Sequence, residues 1–229
     1  MKILAIETST MLGGVAIADE GGLIAEVRLN VRTTHSERLM TAVDYALQQS
    51  DMALAGIDAV AVASGPGSFT GLRIGLSTAK GLCYAADKPL VLVPTLEAFA
   101  WNFPCCAHPV CIMLDARKGE VYAAKFQWER DKFTTLVSAV STRPEDFLRE
   151  CRGPIVLAGE GVLRYRELIV SALGERAVIA PSPAMVPSPS NVARLGLQKA
   201  LCSEFADAAA AEPVYVRRSE AEVQWSERH

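Results

Sequence analysis

"LAIETSTMLGGVAI", Leu4–Ile17, and "IMLDARKGEVYAAKF", Ile112–Phe126, read as two versions of one unit. Each runs from an apolar strand to an acid, through a small polar turn, into a returning strand. Glu7 and Asp115 occupy matching places at the ends of the first strands. An internal repeat of this kind organises the whole fold.

Working outward from the first copy, Lys2–Ile6, Val15–Ala18 and Leu23–Val31 form a three-strand meander with a tight turn at "EGG". "TTHSERLMTAVDYALQQSD" follows. Thr34-His35-Ser36-Glu37 fits a capping box, so a helix is predicted over Thr34–Gln49, with Leu39, Val43, Ala46 and Leu47 on its apolar face. "IDAVAVAS" is a buried strand. A second helix, Thr70–Ala86, leads to the strand "PLVLVP". Strands separated by helices pair in parallel. The order βββαβα(β) is the ribonuclease-H-like arrangement.

The second half repeats this logic in a shorter, more degenerate form. After the hairpin come a third strand, "TTLVSAV", a short helix, "RPEDFLREC", and a strand, "PIVLAGEG". One helix over "VLRYRELIVSAL", a proline-rich loop, and a late helix, "NVARLGLQKALCSEF", complete it. The fold class predicted is α/β, with two ribonuclease-H-like lobes of mixed sheets flanked by helices and a degenerate second lobe. The boundaries expected are 1–104 for the first lobe and 105–212 for the second. The tail, 213–229, is expected to pack back on the first lobe.

The bulk properties limit the function. Half of the 229 residues are hydrophobic, enough for a sizeable core, and the net charge is −3. That balance argues against a chain that binds nucleic acid through its own field. The six cysteines, Cys83, Cys105, Cys106, Cys111, Cys151 and Cys202, make no CxxC pair, so free thiols in a reducing compartment are expected. The histidines, His35, His108 and His229, have no partner at metal-ligand spacing, so no metal site is predicted. The apolar run before Glu7 is too short for a signal peptide. No run approaches the roughly 20 apolar residues of a membrane span. A cytoplasmic chain is expected.

"SGPGSFTGLRIGLSTAKGLCYAAD", Ser64–Asp87, looks at first like a phosphate loop. Walker A is excluded, because no glycine is followed by Lys-Ser or Lys-Thr. The Rossmann pattern has one residue too many, and Asp87 precedes the next strand instead of ending it. Ser68 does not match the G-x-S-x-G elbow and reads as a turn or cap residue, as does Ser64. Each interior glycine costs the helix roughly 1 kcal/mol relative to alanine, so Gly71, Gly75 and Gly81 need a reason. Gly71, Gly75, Ala79 and Cys83 fall on one ridge of small side chains. Such a ridge lets another backbone come closer than the usual 8–10 Å between helix axes. What approaches is either this chain's own helix or sheet, or a partner subunit. The acid-tipped hairpins admit a second reading: Glu7, Thr8, Ser9 and Asp115 have the chemistry to hold phosphates and a hydrated magnesium ion. That would make the chain an actin-like ATP-binding enzyme, a kinase or ATPase. The Gly-Gly run that would hold a base and ribose is thin here, with only "LAGEGV" as candidate.

"ILAIETS", "TTHSERLM", "SGPGSFTGLRIGLSTAKGL", "DARKGEVY" and "EPVYVRR" together, in that order, resemble the bacterial TsaB (YeaZ) family. The resemblance spans nearly the whole chain, and "GPGSFTGLRIG" is its most specific part. It implies an actin-like fold and a non-catalytic subunit of the threonylcarbamoyladenosine tRNA-modification system. The implied partners are the catalytic paralogue TsaD and the small ATPase TsaE, with a homodimer when the chain is alone. TsaD has a metal-binding HxxxH pair; here His35 is followed at position 39 by Leu, so that pair is absent. The resemblance places the partner contact on the first two helices. Leu39, Val43, Gly71, Gly75, Leu76 and Ala79 are the expected interface residues, and Glu7, Thr8, Ser9 and Asp115 become degenerate nucleotide-binding hairpins. No cofactor is expected in the isolated chain, and any nucleotide would sit at the interface with TsaD. tRNA would be met only through the complex, with Arg217 and Arg218 able to add a local contact.

Overall fold

The computed structural model describes residues 1–30 and 35–217. The first half contains β1 (Ile3–Glu7), β2 (Gly13–Asp19), β3 (Gly22–Leu29), α1 (His35–Gln49), β4 (Ala59–Gly65), α2 (Phe69–Ala86), β5 (Leu90–Pro94) and α3 (Thr95–Ala100). The second contains β6 (Val110–Arg117), β7 (Glu120–Glu129), β8 (Lys132–Thr142), α4 (Pro144–Arg149), β9 (Ile155–Ala158), α5 (Glu160–Arg164), α6 (Arg166–Leu173), β10 (Ala177–Ile179) and α7 (Pro189–Leu201).

The two sheets have the same plan. Their orders are β3-β2-β1-β4-β5 and β10-β9-β6-β7-β8. In each, the first strand is antiparallel to the second and parallel to the fourth. The duplication inferred from the two hairpins therefore describes the topology. The degeneracy of the second copy lies in its helices. α4 has 6 residues where α1 has 15, and α5 and α6 have 5 and 8 where α2 has 18. β7 and β8, at 10 and 11 residues, are longer than β2 and β3 at 7 and 8.

Side-chain alternation along the first sheet assigns its two faces. Leu4, Ile6, Val60 and Val62 meet α1 and α2 in one core. Ile3, Ala5, Ala16, Ala59, Ala61 and Ala63 face the other way, into a core shared with α3, α7 and the second sheet. That face is nearly all alanine, so α7 comes very close: a Cβ on Gly196 would lie 2.5 Å from the Ala61 Cβ. This differs from the boundary drawn at 212. By chain order α7 follows the second lobe, but its buried residues cover the first sheet.

Three local readings also differ. The single helix over Val162–Leu173 is broken at Tyr165, which leaves the helical region at φ −106°, ψ 26°. α3 and β10 carry too few residues for a period to show in the sequence. The Thr34 cap lies outside the described residues. At α2 the cap reading holds: the Ser68 hydroxyl accepts a bond from the Gly71 N–H at 3.3 Å, while Ser64 bonds the Val93 carbonyl.

Candidate functional site

β1 delivers Glu7 to its carboxyl end, and the chain turns sharply under the start of α2. The small ridge of α2 sits on this turn. A Cβ on Gly71 would lie 2.0 Å from the Thr8 carbonyl oxygen, and one on Gly75 would lie 2.2 Å from Thr8 Oγ1. Gly67 is equally confined, with the Ser9 carbonyl oxygen 2.5 Å from a built Cβ. The contact is stitched by hydrogen bonds. Thr8 Oγ1 donates to the Gly71 carbonyl at 2.7 Å, and the Ser68 N–H donates to the Ser9 carbonyl at 2.7 Å. The missing side chains of the ridge are thus explained by this chain's own hairpin turn.

Glu7, Thr8 and Ser9 are enclosed, at 0%, 0% and 1% exposure. Glu7 Oε1 accepts the Ser9 N–H at 2.6 Å, but Oε2 and the Ser9 hydroxyl have no hydrogen-bond partner among the described residues. Burial pushes the Glu7 carboxyl up to about 7, and the neighbouring Ser9 only partly offsets it. A carboxylate so enclosed is not presented to a hydrated cation in this arrangement.

The matching turn of the second lobe is built differently. Arg117 pairs with Glu120, leaving Lys118-Gly119 as a two-residue loop with φ +52° and +82°. Positive φ at both central positions is the hairpin geometry that matches strand twist. Asp115 is nearly buried, with a side-chain exposure of 9%, and held by cations: Arg164 lies 2.8 Å away and Arg117 3.5 Å. The Arg117 N–H also donates to it at 3.0 Å. Its charge is matched within the chain.

Between the lobes lies a cavity of about 110 Å³, lined by Thr10, Met11, Asn30, Leu114, Glu160 and Met185 among others. Small-molecule pockets usually run to about 300–1,000 Å³. Burial, with the nearby Asp115 charge, raises the Glu160 carboxyl. Neither Glu7 nor Asp115 lines this cavity. Among the described residues no His, Cys, Asp or Glu cluster could hold a metal ion, and no helix is long and apolar enough to cross a membrane. Within the same residues all six cysteines are free thiols.

The six residues expected at the partner interface need a correction. Leu39, Val43, Leu76 and Ala79 belong to the core under α1 and α2, and Gly71 and Gly75 are buried against Thr8. All six face inward, because the sheet and the turn take up the close approach that the ridge permits. The outward face of the same two helices carries other residues. Tyr84 is 93% exposed, Tyr45 54% and Met40 51%. Ser77, Gly81 and Tyr84 form a stripe on the side of α2 opposite the ridge. A Cβ on Gly81 would meet nothing within 4 Å. An aromatic residue and a glycine on the solvent side of an amphipathic helix were the signal in the sequence for this face.

Comparison with known proteins agrees with this architecture. The family model described as "TsaD: tRNA N6-adenosine threonylcarbamoyltransferase" matches residues 16–225. A Bacillus subtilis protein, "tRNA threonylcarbamoyladenosine biosynthesis protein TsaB", is 34% identical, with 99% of each chain covered. A Brucella anthropi tRNA N6-adenosine threonylcarbamoyltransferase is 38% identical over 120 residues, 44% of this chain and 33% of that one. The solved structure of YeaZ from Pseudomonas aeruginosa superposes with a TM-score of 0.78 at 28% identity, covering 93% of this chain and 99% of that one. With full-length similarity in sequence and a shared two-lobed fold, the chain belongs to the TsaB family of tRNA threonylcarbamoyladenosine biosynthesis proteins.

Proposed function

We propose that this chain is a non-catalytic cytoplasmic subunit that binds and stabilises a TsaD-like catalytic paralogue. TsaE joins the pair, and the assembly transfers threonylcarbamoyl to the tRNA adenine beside the anticodon. When alone the chain forms a homodimer, and tRNA is met through the complex. The observation that carries the reading is the contrast between two surfaces. The polar hairpin turns, where an actin-like enzyme would hold nucleotide, are filled by α2 and by arginines. The outward face of α1 and α2 carries exposed aromatic and apolar side chains at Met40, Tyr45 and Tyr84. Exposed tyrosines at a helix face are good anchors for a partner, because aromatic residues dominate interface energetics.

Tyr84→Ala tests this. It should weaken association with TsaD by roughly 10- to 100-fold by isothermal titration calorimetry, as for an interface anchor worth about 1.4–2.8 kcal/mol. Thermal unfolding of the isolated variant, at a concentration low enough to keep it monomeric, should match wild type, because Tyr84 is 93% exposed in the single chain. Unchanged TsaD affinity would remove α2's outer face from the interface. The nucleotide reading has its own assay. Titrating the isolated chain with ATP and magnesium should give no saturable heat, while any nucleotide bound in the system would be held jointly with TsaD. Micromolar binding abolished by Asp115→Ala would instead favour an ATP-binding enzyme.

A further inference from the structure

After α7 the chain returns along the first lobe as a strap. The Ala206 N–H donates to the Leu90 carbonyl at 2.8 Å, on the open edge of β5. Lys80 of α2 donates to the Ala209 carbonyl at 3.2 Å. The Val214 N–H then bonds the Ser64 carbonyl at 2.7 Å, at the end of β4. The fit there is close: a Cβ on Gly65 would lie 2.5 Å from the Val214 carbonyl oxygen, and Gly65 has φ +120°. Tyr215 stacks on Phe69 with ring centroids 5.0 Å apart. Arg73 lies 3.9 Å over the Phe69 ring and donates from Nε to the Tyr215 hydroxyl at 2.9 Å.

Two residues later the segment is on the other lobe. Arg217 donates to the Ala116 carbonyl at 3.3 Å and lies 3.3 Å from Glu120. Both belong to the β6–β7 hairpin, and Glu120 is itself fixed by the Ser141 hydroxyl at 2.9 Å. The strap thus joins the carboxyl end of β4 to that of β6. The lobes also share the core of α3, α7 and the two sheets. A packed core can act as a hinge, and a polar tie away from it sets how far the hinge moves.

We infer that Ala206–Arg217 is an interlobe latch, anchored on α2 through Tyr215 and closed onto the second lobe by Arg217, and that it restricts the angle between the lobes. Arg217 carries this segment across to the second lobe, through the Ala116 carbonyl and Glu120. Because the pair is partly exposed, removing it costs little stability.

The test is an interlobe distance measured by double electron–electron resonance on the full chain, with the labelled protein diluted into unlabelled protein so that only distances within one chain are read. Spin labels go on Gln49→Cys, at the end of α1, and Asp131→Cys, in the β7–β8 turn, with the exposed Cys105 and Cys202 replaced by Ser. Wild type should give one narrow distribution. Arg217→Ala should broaden it and shift its mean, with the melting temperature lowered by less than about 4 °C. Tyr215→Ala should reproduce the broadening by releasing the other anchor. Arg217→Lys, which keeps the charge toward Glu120, should fall between. An Arg217→Ala distribution superimposable on wild type overturns the latch. So does a broadening produced by Tyr215→Ala alone, which would make the strap an attachment of the first lobe only.

Discussion

Gly71→Ala is expected to destabilise the folded chain by about 2 kcal/mol, against the direction that helix propensity gives. In an isolated helix the change should gain roughly 1 kcal/mol. Here the new methyl would lie 2.0 Å from the Thr8 carbonyl oxygen, a backbone atom that cannot swing aside as a side-chain tip can. α2 must move off the β1–β2 turn. Overpacking of this kind costs about 1–3 kcal/mol. The movement also strains two hydrogen bonds, Thr8 Oγ1 to the Gly71 carbonyl and Ser68 N–H to the Ser9 carbonyl, each worth about 1 kcal/mol net. Gly75→Ala should cost less, because its obstacle is the Thr8 hydroxyl, which can rotate at the loss of its bond to Gly71. Gly81→Ala is the control: it is exposed and meets nothing within 4 Å, so it should stabilise by about 0.5–1 kcal/mol. Urea unfolding of the three variants checks the order. A Gly71→Ala midpoint at or above wild type would show that the turn yields freely.

The second large effect follows from Glu7. Its carboxyl ordinarily titrates near 4.5 and is pushed to about 7 in the folded chain, chiefly by burial. The folded state therefore holds this proton more tightly than the unfolded chain does. Its contribution is neutral below the unfolded value. It becomes unfavourable as pH rises from about 4.5 and levels off above about 7. The span corresponds to a stability loss of about 3 kcal/mol. Glu7→Gln keeps the shape and removes the ionisation, so the variant should gain on wild type as pH rises. At pH 8 the advantage should be of order 1–3 kcal/mol, reduced by whatever hydrogen bonds the amide lacks. Urea midpoints of both proteins between pH 5 and 8 measure it. Taking their difference cancels the other titrating groups. A difference that stays flat with pH would mean that Glu7 ionises in the fold without penalty.

Both effects arise at a contact between residues far apart in the chain, and that separates what sequence reading could reach from what it could not. The paired strand–acid–turn–strand units at Leu4–Ile17 and Ile112–Phe126 announced two sheets of one topology, because strand alternation and turn chemistry are local. The course of α2, its Ser68 cap and its glycine ridge were legible for the same reason. The break at Tyr165 was not, since "VLRYREL" carries neither glycine nor proline to mark it. α3 and β10 were too short to establish a period.

By itself the sequence determined the fold class, the family pattern and the fact that something comes very close to Gly71 and Gly75. Only the tertiary structure decided what that is. A ridge of small residues records that a neighbour is near but not its identity, and the neighbour is Thr8, at a separation of 63 residues. Packing of α1 and α2 on the first sheet buries Leu39, Val43, Leu76 and Ala79 and leaves Tyr84, Tyr45 and Met40 outside. The placement of α7 on the first sheet was decided in the same way. An alanine face fits any close helix, and chain order does not say which helix will fill it. Local chemistry chooses the elements, whereas packing between distant segments chooses which of their faces is left for a partner.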